Sequence, residues 1–274
     1  MKNILFYGNC QLEKLKDVLN LSQDNYNVTF VPCFLTSYTD VEFDYILKQS
    51  DIIITQPICD NYKDKYYLSS NYLVNKCKKD SVIIFLNNCH FTLYYLDLTY
   101  NNNLLLEKDV IVNCYHESMN HCINNNYDFD YYKKNYIENT DFKTLYELKE
   151  IYDKDINELK KRYEHMFGFM KHNTFFINVV TLIEENYKEN LLFYTFNHPT
   201  KYLLQLLAKE IIEILKIPNT INYQLDPFAS YKCILYSCVQ KIVNFDINKC
   251  KPLINNKTEL SDIYNSYSKK IDNK

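Results

Sequence analysis

The chain has 274 residues, a formal net charge of −3, 47% hydrophobic and 24% charged residues. That balance excludes wholesale disorder and is enough for a real core. It contains two glycines, no tryptophan, 27 tyrosines and, among 31 basic residues, one arginine, Arg162. Phosphate-cradling loops need several closely spaced glycines so that backbone can approach the phosphate. Gly8 and Gly168 cannot supply them, which excludes a Rossmann fingerprint, a P-loop and a kinase glycine loop. Lysine alternates with acidic residues instead of forming a basic face, which argues against a nucleic-acid partner. No apolar stretch of 18 residues occurs and the first apolar run is too short for a signal peptide, so the expectation is a cytoplasmic protein without membrane insertion, its ten cysteines mostly free.

In chain order, Asn3–Tyr7 reads as a buried strand, Gln11–Asn20 as a helix, Asn27–Val31 as a strand and Val41–Lys48 as a short helix. Asp51–Thr55 and Ser81–Leu86 read as buried strands flanking a helix over Tyr66–Lys78. Continuous apolar strands alternating with helices predict an α/β fold, a three-layer parallel sheet covered on both faces. Beyond about residue 90 the pattern loosens and helices then dominate. Asn-rich loops are expected at 101–103 and 124–126, helices over Phe142–Met166 and Asn173–Tyr187, a fifth strand at Leu191–Thr195, and a helix over Thr200–Lys216 with Pro199 at its first position and Asn197 or His198 as its cap. The polar tail after about 258 is expected to fray. A single α/β domain over 1–274 is predicted, made of a βαβ half (1–100), a helical insertion with the last strand and a histidine-bearing loop (101–216), and a C-terminal extension (217–274).

The segment richest in chemistry is Gly8-Asn9-Cys10-Gln11, between the first strand and first helix. Ligands of parallel α/β sheets gather at strand C-termini. Gly8 would permit a sharp turn there, and the helix start would aim unpaired N–H groups at Cys10, lowering its thiol pKa. The bland alternative is that Cys10 fills space like the other cysteines. His198 also follows a predicted strand and precedes a helix, which would place it on the same sheet edge as a neutral base; its bland role is a cap or a core polar group. Gln56-Pro57 and Asn87-Asn88 follow the third and fourth strands, where amides can donate to an oxyanion or merely form turns. Arg162 offers a bidentate fork for phosphate, yet Glu158 one turn earlier explains it as a surface pair. His116, His121 and Cys122 lack any zinc-ligand spacing, so no metal is expected, and the remaining cysteines read as small buried hydrophobes. Most tyrosines read as packing.

ILFYGNCQ at the start, DIIITQPICDNY at 51–62, Tyr115-His116, the helix around Lys161-Arg162-Tyr163-Glu164 and FNHPTKYLLQLLA at 196–208 occur in the order and rough spacing of one family. Over residues 3–216 the chain resembles the WcbI-type polysaccharide biosynthesis proteins, and more widely the SGNH hydrolase-like and flavodoxin-like folds. The resemblance implies an acetyl-CoA-dependent acetyltransferase of capsule synthesis acting on a sugar, nucleotide-linked or glycan-bound. It puts Cys10 at the nucleophile position and His198 at the base, with Gly8, Asn9, Gln11 and Gln56 forming or positioning an oxyanion hole. It makes Arg162, His116 and Asn197 contacts of the coenzyme, with the Lys76, Lys78, Lys79 cluster an alternative for its phosphates. An SGNH site has an aspartate three residues before its histidine, where this chain has Thr195, so the group orienting His198 is expected elsewhere. A deacetylase or thioesterase, with water as acceptor, and a non-catalytic coenzyme A- or glycan-binding module are the competing readings.

Overall fold

Four apolar runs bounded by turn-forming residues build most of one sheet. β1 (Lys2–Gly8), β2 (Tyr26–Pro32), β3 (Ile52–Thr55) and β4 (Val82–Leu86) lie parallel, each within two residues of its predicted bounds. The computed structural model describes residues 1–34, 38–100, 114–231, 233–250, 264, 265 and 268. The loop expected at 101–103 and most of the tail after 258 lie outside the described residues. Contacts gather the chain into two units that alternate along it. The first comprises Met1–Cys89, Asn157–Glu185 and Lys201–Pro227; the second comprises His90–Ile156, Asn186–Thr200 and Phe228–Lys274. The divisions suggested by sequence near 100 and 216 therefore differ from these.

The fifth strand of the first unit departs from expectation. β7 (Thr174–Ile177; β5, Leu98–Tyr100, and β6, Cys114–His116, belong to the second unit) completes the order β2-β1-β3-β4-β7, parallel to β4. A helix over Asn173–Tyr187 cannot start at Asn173, which is in the left-handed region with φ 63°. The β-branched and aromatic run Thr174-Phe175-Phe176-Ile177 instead pairs with Ile83–Leu86. A shorter helix, α7 (Val179–Asn186), follows, capped by Asn178 Oδ1 on the N–H groups of Val180 and Thr181.

Alternation along the strands sends side chains to both faces. Leu5, Tyr7, Ile53, Ile83 and Phe85 pack with Phe43 and Leu47 of α2 (Asp40–Gln49) and with Leu73 and Val74 of α3 (Ser70–Lys76). Met166, at the end of the long α6 (Leu145–Met166), joins that face. Ile4, Phe6, Ile54 and Ile84 point the other way, and α1 (Cys10–Leu19) and α8 (Lys201–Leu215) pack against each other and against strands of this sheet. The helix expected over Tyr66–Lys78 is interrupted because Ser69 caps α3 on the N–H of Tyr72, leaving Tyr66–Leu68 as a separate 3-10 turn. α6 starts at Leu145 and not near Phe142 because Thr144 and Glu147 form a reciprocal capping pair.

The second unit is built on buried tyrosines and short elements. β5 (Leu98–Tyr100) pairs antiparallel with β6 (Cys114–His116), followed by α4 (Glu117–Asn124) and α5 (Phe129–Tyr132). The strand expected at Leu191–Thr195 does not join the parallel sheet: β8 (Phe193–Thr195) turns back at Phe196-Asn197 and pairs antiparallel with β9 (His198–Pro199). Pro199 is consequently in a strand, not at the first position of α8. Tyrosine hydroxyls find partners when the rings are buried. Tyr94 donates to Tyr187 O (2.6 Å), Tyr95 to Phe193 O (2.8 Å) and Tyr236 to Asp97 Oδ1 (2.9 Å), where Ser118 N meets the second carboxylate oxygen (2.8 Å). Among the described residues no helix is long and apolar enough to cross a membrane. The described cysteines carry no disulfide; of those expected to be buried, Cys33, Cys89 and Cys238 are, Cys77, Cys233 and Cys250 are half-buried and Cys59 is exposed.

The two glycines differ in what surrounds them, and this sets a test. A Cβ on Gly8 would sit 2.6 Å from Leu12 Cδ1 and 2.8 Å from Gln56 Oε1, while one on Gly168 would meet nothing within 4 Å. Neither has positive φ. Gly8→Ala is expected to destabilise by about 1–3 kcal/mol through overpacking. Gly168→Ala is expected to be neutral or to stabilise by up to about 1 kcal/mol by restricting the unfolded chain. Urea denaturation of the two variants checks both, and equal stability would refute the steric account.

Candidate functional site

The turn after β1 is assembled from amide groups at the C-terminal ends of three neighbouring strands. Asn9 caps α1: its Oδ1 accepts from Gln11 N (2.9 Å), and its carbonyl takes the N–H groups of Leu12 (3.1 Å) and Glu13 (3.3 Å). From the end of β3, Gln56 Oε1 accepts from Asn9 N (3.1 Å) and Gln56 Nε2 donates to Gln11 Oε1 (3.1 Å). Beyond β4, Cys89 N donates to the same Gln11 oxygen (2.9 Å), Gln11 Nε2 donates to Cys89 O (2.8 Å), and Asn88 Oδ1 accepts from Asn9 Nδ2 (3.0 Å). Gln11 and Gln56 are both buried.

This interlock changes the reading of Gly8. It was expected to permit a sharp turn, but its φ is not positive and it is the last residue of a regular strand. What glycine provides is the space that Gln56 Oε1 occupies. Asn9, Gln11 and Gln56, expected around an oxyanion, make the amide contacts above and so hold the turn in position. Of the first-turn N–H groups, that of Cys10 has no acceptor among the described residues. Cys10 is the first residue of α1 and is half-buried. Burial raises its thiol pKa above the ordinary value, ahead of the opposing pull of its own N–H and that of Gln11, with Glu13 adding to the rise. The expected lowering by the helix start is therefore outweighed. Next to Asn88, fully buried Asn87 donates through Nδ2 to Leu159 O (3.0 Å), and its Oδ1 has no partner among the described residues.

His198 lies in β9, and β8, the strand expected to lead it to the edge of the parallel sheet, is not a strand of that sheet but pairs with β9. Its hairpin is pinned on several sides: Phe91 N donates to Phe196 O (2.7 Å), Cys233 N to Tyr194 O (2.9 Å), and the Tyr95 hydroxyl to Phe193 O. Asp155, which sequence reasoning did not single out, holds the adjoining 91–95 stretch by accepting from Thr92 N, Thr92 Oγ1 and Leu93 N. Burial lifts that carboxyl to about 6. No motif marks Asp155, because its partners are 62 and 63 residues away in sequence. The imidazole of His198 packs against Phe228 at 4.9 Å between ring centres. Burial lowers its pKa to about 4, so the ring is neutral at neutral pH; the cause is desolvation, not the helix start that sequence suggested. An orienting group is expected away from position 195, yet Thr195 Oγ1 itself lies 2.7 Å from Nδ1. Thr195 Oγ1 also donates to Asn197 Oδ1 (3.0 Å).

Arg162 and two of the candidate lysines have acidic partners of their own. Arg162 Nε pairs with Glu158 at 2.8 Å, the one-turn pair that sequence offered as its alternative. Lys76 pairs with Asp44 (3.7 Å) and Lys78 with Asp51 (2.7 Å), and Asp51 precedes β3, at the end of that strand opposite Gln56. His116 lies in β6; its side chain is outside what is described. His121 is exposed on α4 while Cys122 is buried. Among the described residues no group of three or more metal-ligating side chains occurs.

The chain matches the family described as "Polysaccharide biosynthesis enzyme WcbI" over residues 3–220. A solved structure shares its fold with a TM-score of 0.74 and 21% identity, over 89% of this chain and 80% of that one. That protein is described as WcbI, a novel polysaccharide biosynthesis enzyme, in its native form without a disulfide bond between coenzyme A and one of its cysteines. No curated protein matches the chain. The family match runs from β1 to beyond α8 and so includes Cys10 and His198, and on that extent the chain belongs to the WcbI family of polysaccharide biosynthesis enzymes.

Proposed function

We propose that this protein is an acetyl-CoA-dependent acetyltransferase that modifies a hydroxyl or amino group of a sugar, on an SGNH-like scaffold. The observation that carries the reading is the Cys10 turn. A thiol and an N–H without an acceptor among the described residues stand together at the C-terminal end of an interior strand, the place where parallel sheets present chemistry. The solved WcbI structure is described by the absence of a disulfide between coenzyme A and one of its cysteines, and a coenzyme that ends in a thiol and can meet a cysteine suits a chain with a thiol in this position.

Bound acetyl-CoA would supply an activated thioester carbonyl. Acetyl transfer then needs a donor for the developing oxyanion and a base for the proton of the acceptor. The Cys10 N–H is given the first part and neutral His198 the second. The proton of the acceptor passes to His198 and from it to the departing coenzyme thiolate, which balances the exchange of an S–C bond for an O–C or N–C bond. Because burial favours the Cys10 thiol over its thiolate, Cys10 is read as positioning the thioester for direct transfer, not as carrying the acetyl group. The proposal keeps Arg162 as a phosphate contact, through guanidinium N–H groups that Glu158 does not engage. Asn197, whose carbonyl receives the Thr195 proton, supports the histidine instead.

Release of coenzyme A from acetyl-CoA in the presence of amino- and hydroxy-sugars, nucleotide-linked or free, tests the assignment. His198→Ala is expected to lose at least about 100-fold in kcat. Cys10→Ser is expected to retain roughly a tenth or more, with no acetyl adduct on the wild-type protein by intact mass spectrometry. An adduct on Cys10 would replace direct transfer by an acetyl-enzyme, and turnover at full rate without a sugar would replace transfer by hydrolysis. Arg162→Ala should raise KM for acetyl-CoA about tenfold, as loss of a charge-assisted contact does, with little change in Tm; an unchanged KM would remove Arg162 from the site.

The pH dependence follows from His198. A base with a pKa of about 4 keeps its lone pair well below neutrality. The acid limb of kcat/KM should therefore fall near pH 4 and not near 6.5, and a midpoint at 6.5 would contradict the buried neutral ring. Since the unfolded chain takes up this proton near pH 6.5 and the folded chain only near 4, the stability contributed by the neutral ring is complete above about 6.5 and is lost as pH falls towards 4.

A further inference from the structure

We propose that Thr195 is a positioning residue that fixes His198 in one tautomer, with the proton on Nδ1 and the lone pair on Nε2. This rests on the reading of His198 as the base, and it supplies the orienting group which that reading lacks in sequence.

A threonine hydroxyl has one proton to give and two lone pairs with which to accept. Thr195 is buried in β8, directly across the antiparallel register from His198, so its side chain is held against the ring by backbone pairing. Its proton goes to Asn197 Oδ1 at 3.0 Å, and Asn197 N approaches the same hydroxyl oxygen at 3.4 Å. With the proton committed, Oγ1 can only accept along the 2.7 Å contact with Nδ1. Nδ1 must then be the donor. A neutral imidazole carries a single ring proton, so Nε2 becomes the basic nitrogen. The opposite tautomer would require Thr195 to turn its proton to Nδ1, depriving Asn197 Oδ1 of this donor, a loss that biases the pair roughly tenfold or more towards the first arrangement. A carboxylate at position 195 would orient the ring and also charge it more readily. A hydroxyl orients without adding charge, which suits a base that stays neutral in a buried setting.

The decisive measurement is nitrogen NMR of the histidine imidazoles in the full-length protein at about pH 7, the His198 signal being identified by its loss in His198→Gln. The expected wild-type signature is a protonated Nδ1 and an unprotonated Nε2. Thr195→Ser should preserve it. Thr195→Val, which removes the hydroxyl, and Asn197→Ala, which removes the acceptor of its proton, should both raise the share of the other tautomer to a comparable or larger population. In turnover, Thr195→Val should lose about 100-fold in kcat with little change in KM for acetyl-CoA, and Thr195→Ser should recover most of it. A wild-type ring protonated on Nε2 overturns the proposal, and so does a tautomer ratio that the valine variant leaves unchanged. If the valine variant does not fold, the wild-type and serine spectra still decide. If no sugar accepts an acetyl group while the tautomer responds as described, the transferase reading fails and the role of Thr195 stands.

Discussion

The turn that carries Cys10 depends on backbone lacking a side chain at the point where a neighbouring strand delivers an amide. Gly8 leaves room for Gln56 Oε1, which would otherwise lie 2.8 Å from a Cβ. That oxygen holds Asn9 N, the Gln56 nitrogen holds Gln11, and Gln11 in turn grips both polar groups of the Cys89 backbone. Each contact is buried or nearly so, and in such surroundings an amide deprived of its partner costs about 1–3 kcal/mol. The interlock therefore behaves as one unit. It ties together the ends of β1, β3 and β4 and leaves the Cys10 N–H without an acceptor among the described residues, because every other first-turn donor has one.

A comparable economy appears in the hairpin that bears His198. Desolvation keeps its ring neutral, while hydroxyl and amide groups in place of a carboxylate set its direction. The neighbouring Asp155 shows what burial does to a carboxyl that is used for structure: three donors surround it, and its affinity for a proton still rises. Burial dominates the titration of Cys10, Asp155 and His198 alike, and in each case it favours the uncharged form.

The abundance of tyrosine has a physical use in the second unit. With few long regular elements, that unit gains its interior from large rings whose hydroxyls reach backbone carbonyls, as Tyr94 and Tyr95 do, or meet around Asp97, as Tyr236 does. A phenol buries much apolar area and still satisfies its polar tip, so a chain poor in tryptophan can close a core around irregular loops.

Periodicity in the sequence determined the first four strands, α1, α2 and α8, because apolar alternation and cap residues are local signals that burial then reinforces. The same locality made Gly8-Asn9-Cys10-Gln11 legible as a strand-to-helix turn. Tertiary structure decided the rest. It made β7 a strand, since the open edge of β4 accepts a β-branched run that isolated periodicity reads as helix. It removed β8 and His198 from the parallel sheet, since three residues and a tight turn favour a hairpin over a long-range pairing. It also joined Gln11 and Gln56 to each other and to Asn9 and Cys89, and gave Thr195 the contact with His198. Those outcomes depend on which polar groups meet after folding, and for Gln11 and Gln56 the partners are 45 residues or more away in sequence, beyond the reach of any local pattern.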